Sequence, residues 1–193
     1  MNFAKKYLDC YHVPFNSYSL DSSDAFVPDM GLRHSLYMDY DYKTFFSSVS
    51  NKIEENIIYR VKDTFYCSYF IFKIPYLNNS FAFAGPYHLG GINSSVLSEI
   101  ISNNNLPPSR LPILERFYNN MSHFEDDRHI QNAIITLGSI IWDDIDGFEM
   151  REINDFIVDE DFLYGLKPKH NEPEDTLLSM RLLEERYDTE RLI

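Results

Sequence analysis

Phe65-Tyr66-Cys67-Ser68-Tyr69-Phe70-Ile71-Phe72-Lys73-Ile74 is the stretch that decides the fold. Aromatic and branched side chains of this kind fit a pleated, buried surface. Read with a period of two, one face carries Tyr66, Ser68, Phe70, Phe72 and Ile74, and the other carries Phe65, Cys67, Tyr69, Ile71 and Lys73. Both faces are largely apolar, so the strand is expected to be covered on both sides. Ile57 to Val61 precedes it as a short strand across a Lys62-Asp63-Thr64 turn. Asn78-Asn79 marks the next turn, and Phe81-Ala82-Phe83-Ala84 forms a third strand that Gly85-Pro86 is expected to stop. Three neighbouring strands with short turns predict an antiparallel meander.

The flanks read mainly as helices. Residues 2–11 carry Phe3, Tyr7, Leu8 and Tyr11 on one side, and Pro14 ends the segment before an extended Phe15 to Leu20. Residues 25–43 are interrupted by Pro28 and Gly31, with Leu36 to Tyr40 able to extend. Thr44 to Asn56 spaces Phe45, Phe46, Val49 and Ile53 as a helix does. Asn93 or Ser94 can cap a helix running to Ile101. A further helix starts at Pro107-Pro108 and carries Leu111, Leu114, Phe117, Tyr118 and Met121. Asp126 or Asp127 opens another through Ile141, and Phe148 to Val158 adds an edge strand. Together these elements predict an α+β fold with an antiparallel central sheet and helices packed on one face or end.

The tail is expected to be a long C-terminal helix. Pro173 suits its first turn, with Glu172, Glu174 and Asp175 at the dipole's positive end. If wholly helical to Ile193 it is about 31 Å long. Met180, Leu183 and Tyr187 share one stripe, which either docks on the sheet or pairs with a second copy. No stop signal follows Leu192-Ile193, so the natural chain is expected to continue.

Composition narrows the function classes. The 193 residues carry 30 acidic and 17 basic groups, a formal charge of −13. Phosphate backbones repel such a surface, so no direct nucleic-acid contact is expected. Cys10 and Cys67 are the only cysteines and have no zinc or redox spacing. No signal peptide or membrane span is legible. The expectation is a soluble, cytoplasmic chain.

Enzyme signatures are missing. No phosphate loop, dinucleotide fingerprint or nucleophile elbow occurs, and no histidine pair has metal-ligand spacing on one helix face. His123 and His129 lie near Glu125, Asp126 and Asp127, which suits a solvated helix start better than a metal site. Asp143-Asp144-Ile145-Asp146-Gly147 resembles the start of a calcium loop, but aligning Gly147 puts Trp142 and Ile153 where carboxylates are needed. No catalytic residue, metal or cofactor is assigned. The aromatic strands instead offer a mostly apolar wall with a few polar points, as small-molecule cavities do. Tyr66, Ser68, Phe70, Phe83 and Tyr87 are the candidate lining residues of a pocket between the sheet and the helices over it. A plain core has the same chemistry wherever the hydroxyls find partners.

Four stretches carry a family resemblance. Phe81-Ala82-Phe83-Ala84-Gly85-Pro86-Tyr87 resembles an apolar strand ending in Gly-Pro-Tyr. Leu106-Pro107-Pro108 through Phe117-Tyr118-Asn119-Asn120-Met121 resembles a proline-started helix ending in an aromatic pair. Glu184-Glu185-Arg186-Tyr187-Asp188-Thr189-Glu190 resembles an Arg-Tyr connecting helix, and Tyr7-Leu8-Asp9-Cys10-Tyr11-His12-Val13-Pro14 an opening helix and first strand. All four are similar to the N-terminal regions of AraC-type transcription regulators from low-GC Gram-positive bacteria. The resemblance implies a GAF- or PAS-like sensor domain over 1–170 and a connector helix over 171–193. It implies a homodimer that takes a small-molecule effector or partner and relays it, with Met180, Leu183 and Tyr187 on the dimer or relay face, to a helix-turn-helix domain that this sequence lacks. A different class of function stays open: an acidic interaction protein of immunity or inhibitor type, steered by its charge to a basic partner.

Overall fold

The computed structural model describes residues 2–19, 27–37, 40–75, 77, 79–142 and 147–154. The expected strands are present as β2 (Ile57–Lys62), β3 (Ser68–Lys73) and β4 (Ser80–Leu89). β1 (Phe15–Ser19) and β6 (Glu149–Asn154) extend the sheet, which has six strands in the order β1-β4-β3-β2-β6. The remaining strand, β5 (His123–Phe124), pairs with β4 off that path. Among the described residues, six helices precede the last strand. The first five are α1 (Asn2–Asp9), α2 (Leu32–Leu36), α3 (Tyr42–Lys52), α4 (Ser94–Asn103) and α5 (Leu111–Asn120), the last preceded by a 3-10 turn at Pro108–Arg110. α6 (Arg128–Ile141) lies between β5 and β6. Residues 2–9 and 15–19 are thus helix and strand as expected, and Asn93 caps α4 by accepting from the Val96 amide at 3.0 Å.

The all-antiparallel expectation is corrected at two pairings. β1, β2, β3 and β4 pair antiparallel, but β6 runs parallel to β2, and β5 runs parallel to β4. The reason is the connection: α4 to α6 carry the chain back across the sheet, so β6 re-enters from the same end as β2. Helices also cover both faces rather than one. On the first face Tyr59, Val61, Tyr69, Ile71, Phe81 and Phe83 pack with Leu36 of α2, Val49 of α3, Ile100 of α4 and Leu114 and Tyr118 of α5. On the second, Ile58, Phe70, Phe72, Ala82, Ala84 and Tyr87 pack with Ala4 and Leu8 of α1 and Ile130, Ile134 and Leu137 of α6. The period-two pattern of residues 68–73 is therefore used in full, one layer of core for each parity.

Two local expectations fail for identifiable reasons. The central strand starts at Ser68, not Phe65, because residues 63–67 form a turn. In it the Phe65 and Cys67 amides donate to Asp63 Oδ1 at 3.0 and 2.8 Å. Tyr66 takes a left-handed φ of 56°. Nor does Gly85-Pro86, joined by a cis peptide bond, stop β4. The register steps from Phe70↔Ala84 to Ser68↔Tyr87, which leaves one extra residue on β4, a bulge. Beyond the bulge, β4 reverses its parity. Phe83 faces the first core and Tyr87 the second, although both are odd-numbered.

Further along the chain, Leu36 belongs to a helix and not to an extended segment, while Tyr37 is extended at φ −113° and ψ 146°. The predicted tail helix, with Met180, Leu183 and Tyr187, lies outside the described residues. Among the described residues no helix is long and apolar enough to cross a membrane.

Candidate functional site: a buried Asp-Arg-Asp cluster beside a cavity

Asp29 precedes α2, and its carboxylate organises the turn. Oδ1 accepts from the Gly31 amide at 3.1 Å, and Oδ2 accepts from the Arg33 amide at 3.1 Å. Gly31 sits at φ 83°, a left-handed conformation that a Cβ makes costly. One helical turn then places Arg33 to donate back to Asp29 Oδ2 through one nitrogen, at 2.9 Å. Its other nitrogen donates to Asp63 Oδ2 at 2.6 Å. The Tyr42 hydroxyl, at the start of α3, donates to Asp29 Oδ1. The guanidinium lies 5.0 Å from the Phe65 ring centre and 6.0 Å from that of Tyr40. Arg33, Asp29 and Asp63 are all buried.

Removing three charged groups from water is costly unless each is fully met by partners. Here each carboxylate has its own backbone amides, two for Asp29 and two for Asp63. Burial works against the Arg33 charge, but the neighbouring charges, Asp63 foremost, outweigh it and raise its pKa well above the ordinary value. Burial also pushes the Tyr37 phenol up to about 12 and raises Tyr40 and Tyr42, so these hydroxyls stay neutral donors at physiological pH.

Beside this cluster lies a cavity bounded by Pro28, Arg33, Val61, Asp63, Tyr69, Ile71 and Phe83. About 20 Å³ of it is open to a water-sized molecule, room for about one water or a head group of that size. Its wall is mostly apolar, and its polar residues are Arg33, Asp63 and Tyr69.

Of the residues expected to line a pocket, Phe83 alone borders this one. Tyr66 is half-buried at the rim of the same core, where its hydroxyl donates to Glu99 at 2.6 Å and the Lys62 ammonium sits 4.3 Å from its ring centre. Ser68 is buried and pairs with Tyr87 across the bulge. Phe70 and Tyr87 stack at 6.3 Å in the opposite core. The five residues are thus split between the two faces of the sheet. Asp29, Arg33 and Asp63 do not stand out in the sequence pattern. The available signals are the i,i+4 Asp-Arg spacing and an aspartate in a turn next to the aromatic strand.

Tyr87 belongs to a second polar cluster. Its hydroxyl donates to Asp127 Oδ2 at 2.6 Å. Arg60 donates to both oxygens of Asp127, at 3.0 and 2.9 Å, and Gln131 to Oδ1 at 2.8 Å. Asp126 or Asp127 was expected to open α6. Asp127 occupies the N-cap position, but its side chain turns inward, and the neighbouring Asp126 accepts the Arg128 amide at 3.1 Å. Replacing Tyr87 by Phe removes one hydrogen bond to a charged acceptor and is expected to cost about 1.5 kcal/mol in a urea titration. A loss near zero would show that the phenol contributes only packing.

His88 is buried among aromatic rings, stacked 5.5 Å from His123 and edge-on to Tyr118 at 5.7 Å. Its Nδ1 has no partner. Burial pulls its pKa below the ordinary 6.5, a backbone hydrogen bond at Gly90 opposes this, and His123 adds to the lowering. With the folded value lowered, the unfolded chain takes the proton first. The contribution of neutral His88 to stability is therefore full above 6.5 and is lost as pH falls below it. His88→Phe is expected to flatten the decline in urea-derived stability between about pH 7 and 5. Equal slopes in the two proteins would refute the assignment. Among the described residues no group of three or more His, Cys, Asp or Glu could hold a metal ion.

No family model matches this chain, and no curated protein or solved structure matches it significantly. The site is read from its own chemistry.

Proposed function

We propose that this chain is the sensing domain of an AraC-type transcription regulator, GAF- or PAS-like in fold, and that its effector enters the cavity between the sheet and α2. The observation that carries this is the cavity itself: a partly open, mostly apolar cavity bordered by three polar residues, Arg33, Asp63 and Tyr69. The division of labour between the faces supports it. The cavity lies on the sheet face that α2 packs against, and α1 and α6 pack on the other. In this proposal the protein is a cytoplasmic, non-enzymatic homodimer. Residues 171–193, through Met180, Leu183 and Tyr187, connect it to a helix-turn-helix domain. To transmit anything, the effector must bind two arrangements of that connection with different free energies.

The test is a thermal-shift screen of the whole chain against a mixed metabolite library, run on wild type and on Val61→Leu, which narrows the cavity. At about 100 times its dissociation constant a ligand adds about 2.7 kcal/mol, or about 5–10 °C for a chain of this size. A hit that Val61→Leu abolishes supports the proposal. An empty screen, or hits insensitive to the substitution, would overturn it.

A further inference from the structure

We propose that the cavity beside Arg33 takes the head of a protonated amine, an ammonium group on a short apolar chain. This inference rests on the sensing function proposed above and names the chemical class of the effector.

Among the described residues the buried cluster has two carboxylates, Asp29 and Asp63, and one guanidinium, a formal charge of −1. Arg33 and Asp63 are the charged side chains among the described residues that border the cavity. An entering anion would take the buried charge to −2, and a neutral molecule would leave it at −1. A monovalent cation brings it to zero, the arrangement that burial favours most.

The hydrogen-bonding places agree with the charge count. Both Asp29 oxygens accept two donors each, at 3.1 Å or less. Asp63 Oδ1 also accepts two amides. Asp63 Oδ2 accepts Arg33 at 2.6 Å, but its second donor, the Tyr69 hydroxyl, stands at 3.5 Å. That is the outer limit of a hydrogen bond. Asp63 Oδ2 is thus the weakly met acceptor of the cluster, and its residue borders the cavity. An ammonium group donates and never accepts, which is what this oxygen can use.

Size and walls fit as well. The open volume of about 20 Å³ matches one water-sized head. Tyr69 and Phe83 offer aromatic surface, which attracts cations. The environment already holds one cation in this way, since the Arg33 guanidinium lies over the rings of Phe65 and Tyr40. Val61, Ile71 and Pro28 complete the apolar wall around that head, and the short alkyl chain leaves through the cavity's open side.

The experiment titrates the whole chain with n-butylammonium, n-butanol and butyrate at constant ionic strength set by NaCl. It tracks the methyl resonances of Val61 and Ile71 together with Tm. The expected result is a saturable shift of both methyl signals and a rise in Tm with n-butylammonium alone. Asp63→Asn should weaken the response at least tenfold. If that variant does not fold, Val61→Leu keeps the charge cluster intact and should abolish the saturable shift of the Ile71 methyl signal. A response to butanol or butyrate without one to the amine overturns the amine assignment and leaves the sensing function standing. No saturable response to any of the three means a cavity for water only and also overturns it. The sensing function is judged separately by the library screen.

Discussion

Arg33→Met is expected to lower the stability of the folded chain by about 3–5 kcal/mol, the usual loss when one partner of a buried ion pair is removed. Methionine fills much of the same volume, so the loss reports charge more than packing. Without the guanidinium, Asp29 and Asp63 face each other's charge in a buried site. Each keeps its backbone amides, which places the loss within that range rather than beyond it. Arg33→Lys keeps a positive charge but lacks the fork that serves two carboxylates at once, and should fall between Met and wild type. Adding Asp29→Asn and Asp63→Asn to Arg33→Met should recover at least half of the loss, because no unpaired carboxylate is left buried. Urea unfolding measures all four proteins. A loss under about 1 kcal/mol for Arg33→Met would remove the cluster as the fastening of α2 to the β2–β3 turn.

Gly85→Ala is the second large effect. A Cβ at this position would meet the Ser68 carbonyl oxygen at 2.6 Å and Tyr69 Cδ1 at 3.0 Å. The first contact is with backbone that the β3–β4 ladder holds in place, so it cannot swing aside. The φ of 131° adds strain, since side chains rarely adopt it. Overpacking and backbone strain each cost about 1–3 kcal/mol, together about 4. For a chain of this length that lowers Tm by about 8–16 °C. Gly90→Ala is the control. Its φ is 75° and a Cβ there meets nothing within 4 Å, so only the left-handed penalty of about 1 kcal/mol applies. Equal losses at the two glycines would show that the close approach of Gly85 to Ser68 is relieved without cost.

The central strands were legible because both of their faces are apolar, and period two survives in residues 68–73 whatever packs on them. The helix carrying Leu114 and Tyr118 was legible for the same reason, through its stripe and its prolines. Strand direction was not, because parallel pairing of β6 depends on where a long crossover returns, which no local pattern records. The pocket was misplaced by register: Phe70 pairs with Ala84, which puts Phe83 on the opposite face, and the bulge then turns Tyr87 to the Phe70 side. Without the bulge, Phe83 and Tyr87 would share a face; the bulge at Gly85 and Pro86 sends them to opposite cores. The Asp29-Arg33-Asp63 cluster was hidden differently. Asp29 and Arg33 stand in a segment broken by Pro28 and Gly31, and Asp63 is separated from Arg33 by 30 positions. An aspartate in a turn is the commonest of surface features. Only the fold distinguishes one that is buried.

β2 belongs to both clusters at once. Val61 borders the cavity, while its neighbour Arg60 reaches Asp127 on the far side of the sheet. Successive side chains of one strand are fixed to opposite sides of the same backbone. A rotation of β2 that widens the cavity must therefore swing Arg60 against α6, like two ends of a rocker.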